Sequence, residues 1–391
     1  MGGGVIGLSC AWRAARRGAR VAVLERGEPG GGATRVAAGM LAPVGELTFG
    51  EPELLELTLA AARAYPDFVA ELEAATGVGS GYERLGALHV ALDRDEAAQL
   101  RRVHELQRSL ELEAEWLPPR RCRDLEPGLT PSFHGGVFAP GEAVVDPRQL
   151  TRVLLAACAA EGVEVRTGAE VVDGIFEGER LVGVRAAPKS AGPLNRYPEQ
   201  KSGGPLNRYP EQRSGGPFDR AGGEEIRAEA VVLAAGAWSG AAEWLPEHAR
   251  PPVRPVKGQV LELRGRGLAA AETVARHILA SERVYLVPRR DGRLIVGATV
   301  EEMGFDTAVT AGGVHELLRE AYRLLPDIAE MELVSTIAGL RPGTLDNLPL
   351  VGPGAIDGLV LATGHFRNGI LLAPLAAEAV ADLLAGVEVA R

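Results

Sequence analysis

Cysteine is scarce: Cys10, Cys122 and Cys158 are the only three, far apart and without C-x-x-C spacing. That pattern speaks against a disulfide framework or a thiolate metal centre, and small buried hydrophobes are the expected role. Lysine is as rare, with Lys189, Lys201 and Lys257 the whole complement among 42 basic residues. A pyridoxal phosphate enzyme needs a Schiff-base lysine, and only Lys257 lies outside an evident insertion. Positive charge is in deficit: the formal net charge is −10, which argues against a nucleic-acid footprint or an anionic membrane surface. No apolar run approaches the roughly 18 residues that a membrane span requires. There is no room for a signal peptide ahead of the first motif, so the cytoplasm is the expected compartment.

What is present, 391 residues with 46% hydrophobic content, suffices for two domains and a large core. The chain is organised around Gly2-Gly3-Gly4-Val5-Ile6-Gly7, where Gly2, Gly4 and Gly7 fit G-x-G-x-x-G. Such a loop lets backbone approach a dinucleotide pyrophosphate and opens a helix whose N-terminal amides hold the phosphates. The pattern predicts that helix over Leu8–Arg17, its stop at Gly18, and a buried strand from Arg20 to Leu24. Glu25 closes the strand at about the 20-residue distance expected of a carboxylate that accepts hydrogen bonds from the adenosine ribose. No strand runs into the glycines, which start one residue after Met1. Burying about five apolar strand residues at roughly 1.5–3 kcal/mol each rivals the stability of a whole domain, about 5–15 kcal/mol. A start assigned too late, or a trimmed chain, is therefore expected.

Further along, the glycine-rich loop 30–34 and the small residues of Ala37–Pro43 permit close backbone approach to a flat ligand. Composition turns helical from Glu53 to about Ala75, with an interruption expected at Pro66. Alternation over Gly86–Leu92 predicts a strand with one buried face. His89, lacking a second ligand at metal spacing, is expected there at the surface or hydrogen-bonded. Asp146-Pro147 starts a helix to Ala160, and strands at 163–165 and 168–172 restore a β-α-β rhythm after an excursion of about 100 residues. Then comes a 12-residue repeat: KSAGPLNRYPEQ at 189–200, KSGGPLNRYPEQ at 201–212, and a degraded copy to Arg220. Its prolines forbid a regular element, so a surface loop extending a hairpin between Leu181–Val184 and Ile226–Ala228 is expected. A buried strand follows at Ala230–Leu233, a hairpin crosses Asp291-Gly292, and helical spacing runs from Val314 to Leu325. The strand Leu359–Ala362, the turn Gly364–Gly369 and a final helix repeat the geometry of the first motif.

The most specific strings are Gly39-Met40-Leu41-Ala42-Pro43, Arg254 to Gln259 (RPVKGQ), Gly339 to Thr344 (GLRPGT) and Gly364 to Pro374 (GHFRNGILLAP). On these the chain resembles the FAD-dependent D-amino-acid oxidase superfamily, closest to its glycine oxidase branch of thiamine biosynthesis, over nearly everything but the repeat. The resemblance implies a mixed α/β and α+β fold. A doubly wound, Rossmann-like FAD-binding domain would be discontinuous over 1–48, 143–243 and 337–391. An antiparallel-sheet substrate domain would take 49–142 and 244–336.

It also implies FAD contacts from Val5 and Ile6 beside Gly2, Gly4 and Gly7, and from Glu25 and Arg26 at the adenosine ribose. Ala33 and Thr34 would reach the pyrophosphate side, Ala38, Gly39 and Met40 the isoalloxazine, and Val171 the adenine. His365, Phe366, Arg367, Asn368, Gly369, Ile370 and Leu371 would close over the flavin ring. Arg341 would grip an amino-acid carboxylate in a two-pronged pair, Tyr285 would add a hydrogen bond, and Arg367 would stand near the substrate. Arg283, two before Tyr285, stands where relatives can carry histidine.

The implied reaction is oxidative deamination of glycine and related small amines such as sarcosine and small D-amino acids. Hydride passes to FAD, O2 reoxidises it to give H2O2, and the imine or glyoxylate serves the thiazole of thiamine. Partners implied are a small amino acid, O2, a thiazole-forming enzyme and further copies of the chain, with no nucleic acid or membrane. Two alternatives stay open: another amine oxidoreductase of the same fold, such as a sarcosine oxidase or D-amino-acid dehydrogenase, and a non-catalytic FAD-binding protein.

Overall fold

The structure, a computed structural model, describes residues 1–188, 223–266 and 274–386. The repeat at 189–220 lies outside the described residues. The first helix is Val5–Arg16, beginning three residues before the expected Leu8. Gly4 already holds the extended N-cap conformation, and the Val5 N–H donates to Thr34 Oγ1 at 3.1 Å, so the first turn closes early. Its end falls where expected, with Gly18 at φ +91° and its N–H donating to Ala15 O at 2.8 Å.

Two pieces of parallel sheet lie beside this helix. Ala22–Glu25 pairs with Glu164–Thr167, and Val231–Leu233 pairs with Leu359–Thr363, which carries the antiparallel edge strand Leu350–Pro353. The backbone of Met1 and Gly2 bridges the pieces: Gly2 N donates to Leu24 O, Met1 N to Val232 O, and Ala234 N to Met1 O, each within 2.9 Å. Burial lowers the Met1 ammonium to about 6. On one face, the helices Val5–Arg16, Pro52–Thr76, Pro147–Ala160 and Ala373–Leu384 pack together around fully buried Leu8, Trp12, Leu72, Leu150 and Leu154. Each such side chain contributes roughly 1.5–3 kcal/mol relative to exposure. The other face is covered by an antiparallel three-stranded sheet, Ala169–Glu177, Arg180–Pro188 and Glu224–Arg227, over Leu24, Leu181, Leu233 and Leu359. The expected hairpin flanking the repeat is thus present.

The second large unit is an eight-stranded sheet. Its order is Glu332–Gly343, Arg254–Arg264, Arg293–Gly297, Tyr285–Pro288, Ile278–Ala280, Ala87–Val90, Gly136–Ala139 and Glu115–Leu117. All neighbours are antiparallel except Ile278–Ala280 with Ala87–Val90, the seam where two distant stretches of chain meet. The helix Ala311–Leu324 closes one side, seating Leu317, Ala321 and Leu324 on Leu261 and Leu286.

Two expectations are corrected here. The helix Pro52–Thr76 runs through Pro66 without a break. Proline within a helix costs about 3 kcal/mol, and Tyr65, Phe68, Val69 and Leu72, all 4% exposed or less, more than offset it by burial. The strand Ala87–Val90 is buried on both faces, because Leu88 and Val90 join one core while Ala87 joins another. His89 is consequently half-buried rather than on the surface: its Nε2 is enclosed with no hydrogen-bond partner among the described residues, and burial drops the imidazole to about 4. All three cysteines are free and buried, as expected. Among the described residues, no helix is long and apolar enough to cross a membrane.

Candidate active site

A cavity of about 570 Å³ opens where the parallel strands end at their carboxyl sides and meet the large sheet. Ligands of open α/β sheets bind at such strand ends. The glycine loop forms one wall by steric necessity. A Cβ at Gly2 would lie 2.3 Å from Ala234 O, and one at Gly7 would lie 2.0 Å from Gly2 O. Gly2 also sits at φ +97°, where side chains are strained. Glu25 is held there by two backbone amides, Gly3 N–H on Oε2 and Gly27 N–H on Oε1, both at 2.7 Å. Arg26 stacks over Trp238 at 4.1 Å, and Trp244 and Val171 complete this end.

The opposite end is floored by bare sheet. Gly258 and Gly339 face each other in register between the strands Arg254–Arg264 and Glu332–Gly343. The Arg341 guanidinium lies across Gly258, where a Cβ would come within 2.4 Å of both its terminal nitrogens. Tyr285 lies likewise across its strand partner Gly297, whose Cβ would meet the hydroxyl at 2.4 Å. Among the described residues no carboxylate pairs with Arg341: its Nη1 donates to the carbonyls of Lys257 at 3.3 Å and Thr299 at 3.1 Å. Burial, followed in size by the opposing pull of Tyr285, leaves its pKa below the ordinary arginine value. Burial pushes Tyr285 up to about 12, which keeps it a neutral donor. Arg367 and Glu46 share this end.

Nearly every residue singled out in the sequence lines this one cavity. Gly2, Gly4, Val5, Ile6, Glu25, Arg26, Ala33, Thr34, Ala38, Gly39, Met40, Val171, Tyr285, Arg341, His365, Phe366, Arg367, Gly369 and Ile370 all do. Gly7, Asn368 and Leu371 stand behind the wall: Gly7 packs against Gly2, Asn368 N donates to His365 O at 2.9 Å, and Leu371 belongs to the helical core. Glu46, Trp238, Trp244 and the bare glycines Gly258 and Gly339 were not singled out for this role. Arg283 is exposed.

The family model described as FAD dependent oxidoreductase matches residues 1–383. The chain belongs to this family. Among its relatives, the glycine oxidase of Geobacillus kaustophilus is 34% identical over 395 residues, covering 100% of this chain and 93% of that protein. The glycine oxidase of Pseudomonas aeruginosa is also 34% identical, covering 99% and 94%. The bifunctional protein ThiO/ThiG of Trichormus variabilis is 35% identical over 98% of this chain. The chain spans about half of that longer relative, 52% of its length. The crystal structure of the Geobacillus kaustophilus glycine oxidase superposes with a TM-score of 0.82 at 32% identity, covering 100% of this chain and 94% of the other.

The family's cofactor suits this cavity. Glycine alone fits at Gly2 and Gly7, so the backbone there stays bare for close approach. Two polar atoms of cavity-lining residues, His365 Nε2 and Trp244 Nε1, are buried and have no partner among the described residues. Buried orphans of this kind call for a ligand or water. Burial holds His365 at about 4, hence neutral at physiological pH.

Proposed function

We propose that this chain oxidatively deaminates glycine and related small amines, such as sarcosine and small D-amino acids. The observation that carries the reading is Arg341: a guanidinium set beside Tyr285 and bonded to the carbonyl oxygens of Lys257 and Thr299, with no carboxylate paired to it among the described residues, facing a cavity of about 570 Å³. A carboxylate is the group it lacks. In this reading Arg341 takes the substrate carboxylate in a two-pronged grip, and neutral Tyr285 donates a further hydrogen bond. Arg367 adds positive charge at the same end. Gly258 and Gly339 keep the floor flat, so a small substrate lies close to the sheet, and positioning of this kind carries most of the catalysis. FAD, when bound, supplies the two-electron acceptor that O2 regenerates.

Glu25 and Arg26 take the adenosine ribose, the amides after Gly4 the pyrophosphate, Ala38–Met40 the flavin edge, and His365–Ile370 the remaining wall. The division into an FAD domain (1–48, 143–243, 337–391) and a substrate domain (49–142, 244–336) follows from the same reading. Bifunctional relatives join ThiO and ThiG in one chain, which supports an imine product handed to a thiazole-forming enzyme. Cytoplasmic location and self-association belong to this proposal.

The test is anaerobic mixing of the FAD-loaded protein with glycine, sarcosine and D-alanine while the flavin absorbance is followed. Bleaching by glycine, restored by air with peroxide release and abolished in Arg341→Ala, is the expected outcome. Retained FAD that no amine bleaches would sink the oxidase reading.

A further inference from the structure

The turn after Met40–Leu41 brings a carboxylate, Glu46, to the Arg341 end of the cavity. Glu46 acts electrostatically on Arg341, Arg367 and Tyr285. Yet among the described residues no ion pair joins it to either guanidinium, and its carboxylate has no hydrogen-bond partner. Opposite charges thus face one another across a gap. An α-amino acid carries the complementary pair, a carboxylate for Arg341 and an ammonium for Glu46.

The turn is built to hold Glu46 in place. Glu46 N donates to Ala42 O at 3.0 Å, and Gly45 N donates to Glu142 Oε1 at 2.5 Å. Glu142 is 1% exposed, and burial raises it to about 8. Its Oε2 and His89 Nε2, both without hydrogen-bond partners among the described residues, converge on Gly45, where a Cβ would lie 3.0 Å and 2.3 Å from them. With His89 held near 4 by burial, this pair is neutral at physiological pH. Neither residue lines the cavity, so Glu46 is the acidic side chain this turn presents to a substrate.

Resting on the oxidase reading above, we infer that Glu46 is a catalytic residue that receives the substrate's ammonium and takes one proton from it. The carboxylate becomes the neutral acid and the ammonium becomes the neutral amine, with no change in oxidation state. The freed nitrogen lone pair is what the α-carbon needs when its hydrogen leaves with the bonding electrons. The groups facing Glu46 are Arg341, Arg367 and Tyr285 across the cavity and Glu142, backed by His89, beneath the turn.

The experiment compares FAD-loaded wild type and Glu46→Gln in two assays. Acetate, a carboxylate without an amine, is titrated against the flavin absorbance; its Kd should stay within about twofold, reporting an intact fold and Arg341 grip. Glycine kcat/KM at neutral pH should fall about 100-fold and recover about tenfold per pH unit as the free amine becomes available. Glu46→Asp should keep the wild-type pH profile at reduced rate, which carries the test if the glutamine variant does not load FAD. Unchanged glycine kinetics in Glu46→Gln, or a loss that does not recover with pH while acetate binding is normal, overturns the inference and leaves the oxidase reading standing. A wild-type enzyme that no amine reduces overturns both.

Discussion

At the Glu25 end of the cavity, both carboxylate oxygens are tied to amides within the first 27 residues. At the Arg341 end, Glu46, Gly258, Tyr285, Arg341 and Arg367 come from separate segments, and among the described residues Glu46 and Arg341 feel each other's charge without forming an ion pair. The first end is a local motif that completes itself. The second is a gap assembled by strand pairing, with its binding capacity left unspent. Burying unpaired charge costs stability unless a ligand satisfies it, so the cofactor end should govern affinity for FAD and the other end turnover.

Variants can break that division. Arg341→Ala should lower kcat/KM for glycine by about 10³-fold, roughly 4 kcal/mol, as expected for removing one partner of a buried charge pair. The FAD dissociation constant, measured by fluorescence quenching, should not move; if it weakened comparably, the two ends would not be independent. Gly258→Ala places a methyl 2.4 Å from the guanidinium, and displacing Arg341 should cost about 10²-fold in kcat/KM. Wild-type FAD binding should again be retained.

Glu25→Ala strips the acceptor from the Gly3 and Gly27 amides. FAD affinity should fall about 30-fold, roughly 2 kcal/mol, while kcat at saturating FAD holds. Smallest is an acid effect on the fold. His89 beneath one end and His365 on the cavity wall sit at about 4, lowered by burial from 6.5. Below 6.5 the unfolded chain takes up protons that the folded one refuses until about 4, so stability is lost as pH falls through that window. Each histidine should account for about 1.5 kcal/mol by about pH 5.5, read from urea melts of the wild type against His89→Gln.

The same contrast explains what was legible in the sequence. Gly2 to Glu25 could be read as glycine loop, helix, strand and acid because the unit is continuous, and only boundaries moved: the helix starts at Val5 rather than Leu8 and the strand at Ala22 rather than Arg20. Pro66 misled because local propensity cannot see the aromatic packing that carries the helix past it. The alternation around His89 indicated one buried face, since nothing local announces that a second core covers the other. Arg341 and Tyr285 were found through resemblance to a family rather than by spacing. The reason lies in the sheet: Arg341 needs Gly258, and Tyr285 needs Gly297, from neighbouring strands. Glu46 gave no signal, since a lone acid in a turn is indistinguishable from a solvated one until Arg341 and Arg367 are brought to it.

The parallel seam between Ala87–Val90 and Ile278–Ala280 sets a timetable for folding. Its partners are separated by nearly the whole middle of the chain, so their loop-closure entropy must be met before the pairing returns any stabilisation. During synthesis the strands Ala87–Val90, Gly136–Ala139 and Glu115–Leu117 emerge early and wait, with one edge unpaired, until residue 280 has left the ribosome. An open edge of this kind is a template for association with another chain. This sheet should therefore be the late and aggregation-exposed step of folding, the last to gain hydrogen-exchange protection on refolding and the first to benefit from a chaperone.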